Sequence, residues 1–247
     1  MNRKKVIFVV LMIFCLAFTG CSNKKEDKNR YTGTIECESY YVTSEIAGKL
    51  NKLSVEQGSS VKNADSIAQI DTQRYKFEKD KAEGVLQSAQ AKYDSIPDGA
   101  DENIKNQSKG AINQAKAAVN LAKFNISKGD VKSLKSGIVT DVFVHEGEMV
   151  QTGTNIIKIM DIENKYIKIY LEESKRHKVK LQDVLNVYYK GKKVAEGKVV
   201  YISPESEFTP KNTQTKEEKE DTVFQIKIKF LENNSFSPGT LLDVEVK

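Results

Sequence analysis

Residues 72–127 read TQRYKFEKDKAEGVLQSAQAKYDSIPDGADENIKNQSKGAINQAKAAVNLAKFNIS, and the rest of the chain is arranged at the two ends of this stretch. Small or apolar residues recur at Tyr75, Ala82, Leu86, Ala89, Tyr93 and Ile96, then at Ile104, Ala111, Ala115, Ala118, Ala122 and Ile126. Steps of three, four and seven are those by which one helix packs lengthwise on another, so the spacing predicts two antiparallel helices. Between them lies Ile96-Pro97-Asp98-Gly99-Ala100, a tip in which Pro97 ends one helix and Gly99 permits the reversal. At 1.5 Å per residue each arm reaches roughly 35–40 Å. The seam is rich in alanine and includes Ser108. Arms of that kind approach closely but bury little, so something must hold their base.

The flanks supply it, because they repeat each other. Gly48, Leu53, Val55, Gly58, Val61, Ile67 and Ile70 before the helices match Gly137, Val142, Val144, Gly147, Val150, Ile156 and Ile159 after them, each pair 89 residues apart. A constant offset that preserves glycine and apolar classes is an internal repeat. Val55 and Val144 close short strand patterns, and Gly58 and Gly147 follow in turns that call for positive φ. Neither copy is long enough to close a core alone. Two copies facing each other make a small β-sandwich with the helical pair emerging between them.

Composition bounds the class. The chain has 247 residues, 39% of them apolar, and a net charge of +5 with lysine and glutamate interspersed. That suits one to three modest domains and shows no basic face for nucleic acid. Arg3, Lys4 and Lys5 precede a thirteen-residue apolar run from Val6 to Phe18, followed by Thr19-Gly20-Cys21. The run is shorter than the ~20 residues of a membrane span and suits a secretory signal. An uncleaved anchor is the alternative, and both place the same domain outside the membrane. Ser22 to Arg30 has no apolar residue and reads as a tether. With Cys15 in the apolar run and Cys21 at its end, Cys37 stands alone in the remainder, so no internal disulfide is expected.

Tyr31 to Val42 reads as a strand. After the second repeat, Lys165–Glu172, Val184–Tyr189, Val194–Ile202, Val223–Phe230 and Leu241–Val246 are strand patterns, with a short charged helix from Glu173 to Lys180. Several short strands without helical partners predict a small β-barrel to which Tyr31–Val42 adds an early strand. Ser206 to Thr222 is a long polar loop.

Taken in order, these segments resemble the HlyD-type membrane-fusion proteins, the adaptors of bacterial exporters. Gly20-Cys21 is similar to a lipobox, with Phe18 where that motif usually has leucine. The half-repeats resemble the two halves of a lipoyl/biotinyl-like domain. Residues 208–219, followed by Val223-Phe224-Gln225-Ile226-Lys227-Ile228, resemble a signature of the branch paired with ABC transporters. The resemblance implies a mainly β fold: a lipoyl-like sandwich of two half-motifs, an inserted coiled-coil hairpin and a β-barrel. It assigns 1–20 to a lipoprotein signal peptide, 21–30 to a tether and 31–42 to the first barrel strand. Residues 43–71 and 131–161 become the half-motifs, 72–130 the hairpin and 162–247 the barrel. Cys21 would carry lipid, Pro97, Asp98 and Gly99 the tip, and Gly48, Gly58, Gly137 and Gly147 the lipoyl-like turns.

The implied function is non-catalytic: a copy in a homo-oligomeric ring, lipid-anchored outside the cell membrane and coupled to ABC permease and ATPase subunits, with no cofactor. Adaptors that grip an outer-membrane duct are similar in having an Arg…Leu…Ser pattern at the tip. Here Arg74 is the only arginine from 72 to 128 and lies at the base. Two other functions stay in view. Asp80-Lys81-Ala82 spells a lipoyl-type lysine motif, but in mid-helix, where a swinging carrier has no use for it. A surface lipoprotein that binds cell wall or a ligand is the other. Catalysis is not expected, since the two histidines, His145 and His177, stand without a nucleophile or metal-ligand pattern around them.

Overall fold

The computed structural model describes residues 29–208 and 222–246. The first strands are β1 (Arg30–Glu36), β2 (Ser39–Thr43), β3 (Gly48–Leu53), β4 (Ser60–Val61) and β5 (Ser66–Ile70). Helices α1 (Gln73–Asp94) and α2 (Glu102–Ser127) follow, then β6 (Asp130–Lys132), β7 (Gly137–Val142), β8 (Met149–Val150) and β9 (Asn155–Met160). The remainder is β10 (Tyr166–Glu172), the one-turn α3 (Glu173–Arg176), β11 (Val184–Tyr189), β12 (Lys192–Ile202), β13 (Glu207–Phe208), β14 (Thr222–Phe230) and β15 (Leu241–Glu245).

The 89-residue repeat is a repeat of strands. Adding the offset to β3 gives the bounds of β7, and adding it to β4 gives those of β8. The halves form two four-stranded sheets in the orders β2-β9-β7-β4 and β6-β5-β3-β8. Each sheet takes its short strand from the other half: β4 pairs with β7, and β8 with β3. Neither half can complete its sheet alone. Their inner faces share one core, in which Leu50, Ile67, Ile156, Ile157 and Ile159 are almost wholly buried. A fully buried aliphatic side chain contributes about 1.5–3 kcal/mol, so this pooled core is the main cohesion of the unit.

The stretch expected as one barrel strand, 31–42, is two strands in two bodies. The chain leaves the barrel at Glu36, and β2 joins the sandwich against β9. Both parts are rich in β-branched and aromatic residues, so composition does not show the break. The barrel closes through β10-β1-β15-β11-β12-β14, with β14 pairing back to β10 and β13 added on the edge. Ile167, Ile169, Leu185, Val187, Ile226, Ile228, Leu242 and Val244 fill it. No helix among the described residues is long and apolar enough to cross a membrane.

The helices form an antiparallel hairpin, α1 about 33 Å and α2 about 39 Å long at 1.5 Å per residue. On α1 the expected seam is the inward face: Tyr75 is buried and Ala82, Leu86, Ala89 and Tyr93 are half-buried, with Ile96 half-buried just past the helix end. On α2 the register differs. Ala115, Val119 and Ala122 are buried with Ser108, Ile112 and Ile126 beside them, while Ile104, Ala111 and Ala118 face out. A helix this rich in alanine offers two stripes of similar period, and the one carrying the larger Ile112 and Val119 buries more apolar surface.

Candidate functional site

The feature that singles out this molecule is the root of the hairpin, where two distant chain segments are bound together. Ser44 and Ser133 open the two halves, 89 residues apart, and each is 1% exposed. Each hydroxyl bonds within its own turn, Ser44 Oγ to the Ile46 carbonyl and Ser133 Oγ to the Lys135 carbonyl (2.6 Å). Each backbone reaches the opposite half. Ser44 N donates to Thr154 O (2.9 Å) and Ser44 O receives Gly153 N (2.7 Å); Ser133 N donates to Asp65 O (2.9 Å) and Ser133 O receives Ala64 N (2.7 Å). Ala64 and Gly153 both take positive φ, 71° and 88°. The pseudo-twofold relation therefore reaches farther upstream than the apolar pattern does. Its signal is the shared Ser-x-x-x-Gly of Ser44/Gly48 and Ser133/Gly137, which is too sparse to find by periodicity.

The four motif glycines divide into two kinds. Gly58 and Gly147 sit in equivalent turns at φ +91° and +92°. Gly58 N donates to Val139 O (2.8 Å) and Gly147 N to Leu50 O (2.7 Å), so each turn pins the other half. Gly48 and Gly137 are not turn residues: they begin β3 and β7. A Cβ on Gly48 would meet Ile70 Cγ2 at 2.7 Å and Asp71 O at 2.8 Å, and one on Gly137 would meet Met160 O and Ile159 Cγ2. Their requirement is close strand approach.

The hairpin is locked to this frame. Tyr75 Oη donates to Ala47 O (3.1 Å), Asp71 Oδ1 receives Gln73 N (2.7 Å) at the start of α1, and Ile70 N donates to Gly129 O (2.8 Å) past the end of α2. Lys128 Nζ pairs with Glu45 at 2.8 Å. At the far end, α1 stops at Asp94, and Asp101 caps α2 through Asn103 N (2.7 Å). Ala100 N closes the turn on Pro97 O (3.0 Å), and Lys105 Nζ reaches Asp98 O (3.0 Å). Gly99 is not among the positive-φ glycines, so the reversal does not draw on glycine's left-handed region.

Two short linkers join sandwich and barrel. Asp161, 8% exposed, receives the amides of Glu163 and Asn164 and the Asn164 side chain. Lys165 Nζ bridges to Asn234 O (2.7 Å) and Phe236 O (2.9 Å), and Lys168 pairs with Glu36 at 2.5 Å. Cys37 lies here, its thiol pKa pushed up mainly by burial. Tyr40 donates to Glu38 (2.7 Å), which pushes its phenol up to about 12.

The remaining singled-out residues do not converge. Lys81 is exposed on α1. His145 is 82% exposed beside Glu148 (3.1 Å), and His177 caps the single turn of α3. Among the described residues no cluster of His, Cys, Asp or Glu is placed to hold a metal. Cys21, the leader, the tether up to residue 28 and loop residues 209–221 lie outside the described residues.

A family model described as RND MFP, barrel-sandwich hybrid domain, matches residues 38–162. The membrane protein YbhG of Salmonella arizonae is 28% identical over 165 residues, covering 66% of this chain and 50% of that protein. This chain therefore matches about half the length of its curated relatives. Among solved structures, a membrane fusion protein from Streptococcus pneumoniae superposes with a TM-score of 0.71 at 18% identity, covering 88% of this chain and 99% of the other. A MacA–MexA chimera carrying the Pseudomonas aeruginosa MexA α-hairpin superposes with a TM-score of 0.70 at 25% identity, covering 88% and 80%. The family match takes in both halves of the sandwich and the hairpin between them, just over half of the chain, and with it this chain belongs to the membrane-fusion protein family, in its barrel-sandwich hybrid form.

Proposed function

We propose that this chain is a non-catalytic adaptor of a bacterial export system, held at the outer face of the cell membrane by lipid on Cys21 and coupled to an ABC-type permease and its ATPase. The observation that carries the adaptor reading is the mounting of the hairpin. Both roots are clamped by a sandwich whose halves complete each other, so a force or rotation of the sandwich is transmitted to a rigid arm instead of being lost at the hairpin root. The partner hydrolyses ATP. The adaptor contributes a path outside the membrane and biases the transporter between conformations. Copies of the chain would assemble side by side, with Pro97, Asp98 and Gly99 at the free end of each arm. The ABC assignment is supported by the resemblance of residues 208–228 to the signature of that branch.

A second reading is favoured by the description of the matched family, RND MFP: the partner is then an RND-type transporter driven by an ion gradient. Purification of the tagged full-length chain from detergent-solubilised native membranes tests both. An ATP-hydrolysing subunit and its permease in the eluate support the ABC assignment, and a large permease without an ATPase supports the second reading. The chain alone, bound to peptidoglycan, would overturn the adaptor function.

A further inference from the structure

We propose that the free edge of β2, where it borders a groove shared with β6, takes up an extended segment of a partner protein as an added β-strand, and that this segment alternates apolar and acidic residues. Both strands are sheet edges: among the described residues β2 pairs only with β9, and β6 only with β5. Alternate backbone N–H and C=O groups of an antiparallel edge strand point away from its neighbour, and such an edge is a template for a further strand. Edges are commonly hidden or blunted. Here a groove of about 940 Å³ opens along all five residues of β2 and all three of β6, beside the foot of α2. Val42, Val131 and Ile159, members of the sandwich core, form its floor. Tyr41, Phe124 and Leu134 stand along it with 54%, 55% and 82% of their surface exposed.

The internal symmetry says that this apolar lining is not demanded by the fold. Tyr41 corresponds at the 89-residue offset to Asp130, and Leu134 to Glu45. The same structural positions are filled by acids in the other half.

Charge selects the occupant. Lys128, Lys132 and Lys135 line the groove against Glu45 and Asp130. Lys128 is bonded to Glu45 and Lys132 to Asp130, while Lys135 leans over the Tyr40 ring at 5.6 Å. The excess is positive. The chain's own stretches at 22–28 and 209–221 contain no aliphatic or aromatic residue and cannot fill the apolar floor. A second copy pairing β2 with β2 about a twofold axis would bring two grooves of the same excess positive charge together, a repulsive arrangement. An acidic–apolar strand from a different protein satisfies the edge, the floor and Lys135 together.

The test uses the full chain in detergent and a fluorescein-labelled synthetic peptide of alternating valine and glutamate. Two control peptides accompany it, one N-methylated at alternate residues and one with lysine in place of glutamate. Strand addition predicts saturable binding of the first peptide, and affinity at least about tenfold lower for each control. Native amide exchange should slow at Ser39–Thr43 on binding. Lys135→Glu should weaken binding about tenfold with the far-UV spectrum and melting temperature unchanged. Equal binding of the N-methylated peptide would show an apolar groove without strand pairing and overturn the proposal. So would the absence of peptide binding. If in addition light scattering shows that Lys135→Glu breaks up an oligomer, the groove belongs to a second copy. These readouts do not depend on the transporter, so the proposal and the adaptor function can fail separately.

Discussion

Glycine serves two purposes in this repeat, and the two respond differently to a methyl group. At Gly137 an added Cβ enters Met160 O and Ile159 Cγ2, so Gly137→Ala should destabilise by about 1–3 kcal/mol through overpacking. At Gly147 the one atom of the described residues within 4 Å of an added Cβ is Lys49 Cε, at 4.0 Å, and the obstacle is φ +92°; Gly147→Ala should cost about 1–2 kcal/mol through backbone strain. Urea midpoints of the two variants check both costs, and a variant that unfolds at the wild-type midpoint would contradict the constraint assigned to its glycine. Ser44→Ala should cost about 1–3 kcal/mol, because it leaves the buried Ile46 carbonyl without its donor, and Ser133→Ala should cost less, because the bond to the Lys135 carbonyl is only part-buried. Cys37 gives a pH test. Burial favours its neutral thiol in the folded chain, so as pH rises through 9 native protein should alkylate with iodoacetamide more slowly than urea-unfolded protein. The sign follows for stability: the contribution is absent below the ordinary thiol pKa and turns unfavourable above it. The residues that sequence found here were those with repeated classes, Gly58 and Gly147. Ser44 and Ser133 were not legible, because a single hydroxyl carries no period.

Elements were legible in proportion to the size of the side chains that define them. The seam of α1 could be read because Tyr75, Leu86 and Tyr93 leave one apolar stripe. That of α2 was misplaced because Ala111, Ala115, Ala118 and Ala122 fit two registers, and only packing against α1 chooses Ile112 and Val119. The distinction is testable. Val119→Asp should disrupt the hairpin, lowering helical ellipticity and accelerating amide exchange in both arms, whereas Ala118→Asp, one position away and exposed, should change stability by no more than about 0.5 kcal/mol. Equal effects would put the register in error. Ala89→Pro removes a helical hydrogen bond and introduces a clash inside the seam, about 3 kcal/mol; it should abolish export while the protein stays in the membrane fraction. The junction of barrel and sandwich at Cys37 was hidden for another reason. Strand propensity continues across it, and only pairing partners reveal that β1 and β2 belong to different sheets.

For the whole molecule, the strand repeat, the inserted hairpin and the closed barrel all followed from patterns with a long reach in sequence, while the exchange of β4 and β8 between halves did not. A two-residue strand has too little composition to declare its partner. That exchange matters most for the proposed adaptor function, because it makes the sandwich a clamp on the roots of the hairpin. Ser60 lies opposite Ile138 across the β4–β7 pairing, in a register that brings Cα atoms within disulfide range. The direct measurement is oxidation of Ser60→Cys/Ile138→Cys in the full-length chain with Cys37→Ser, read as a mobility shift on non-reducing gels. A clamp predicts rapid, near-complete intramolecular bridging across the whole inserted hairpin, with Ser54→Cys/Ile138→Cys as the unbridged control. A pair that stays reduced, or bridges only between chains, would contradict the account.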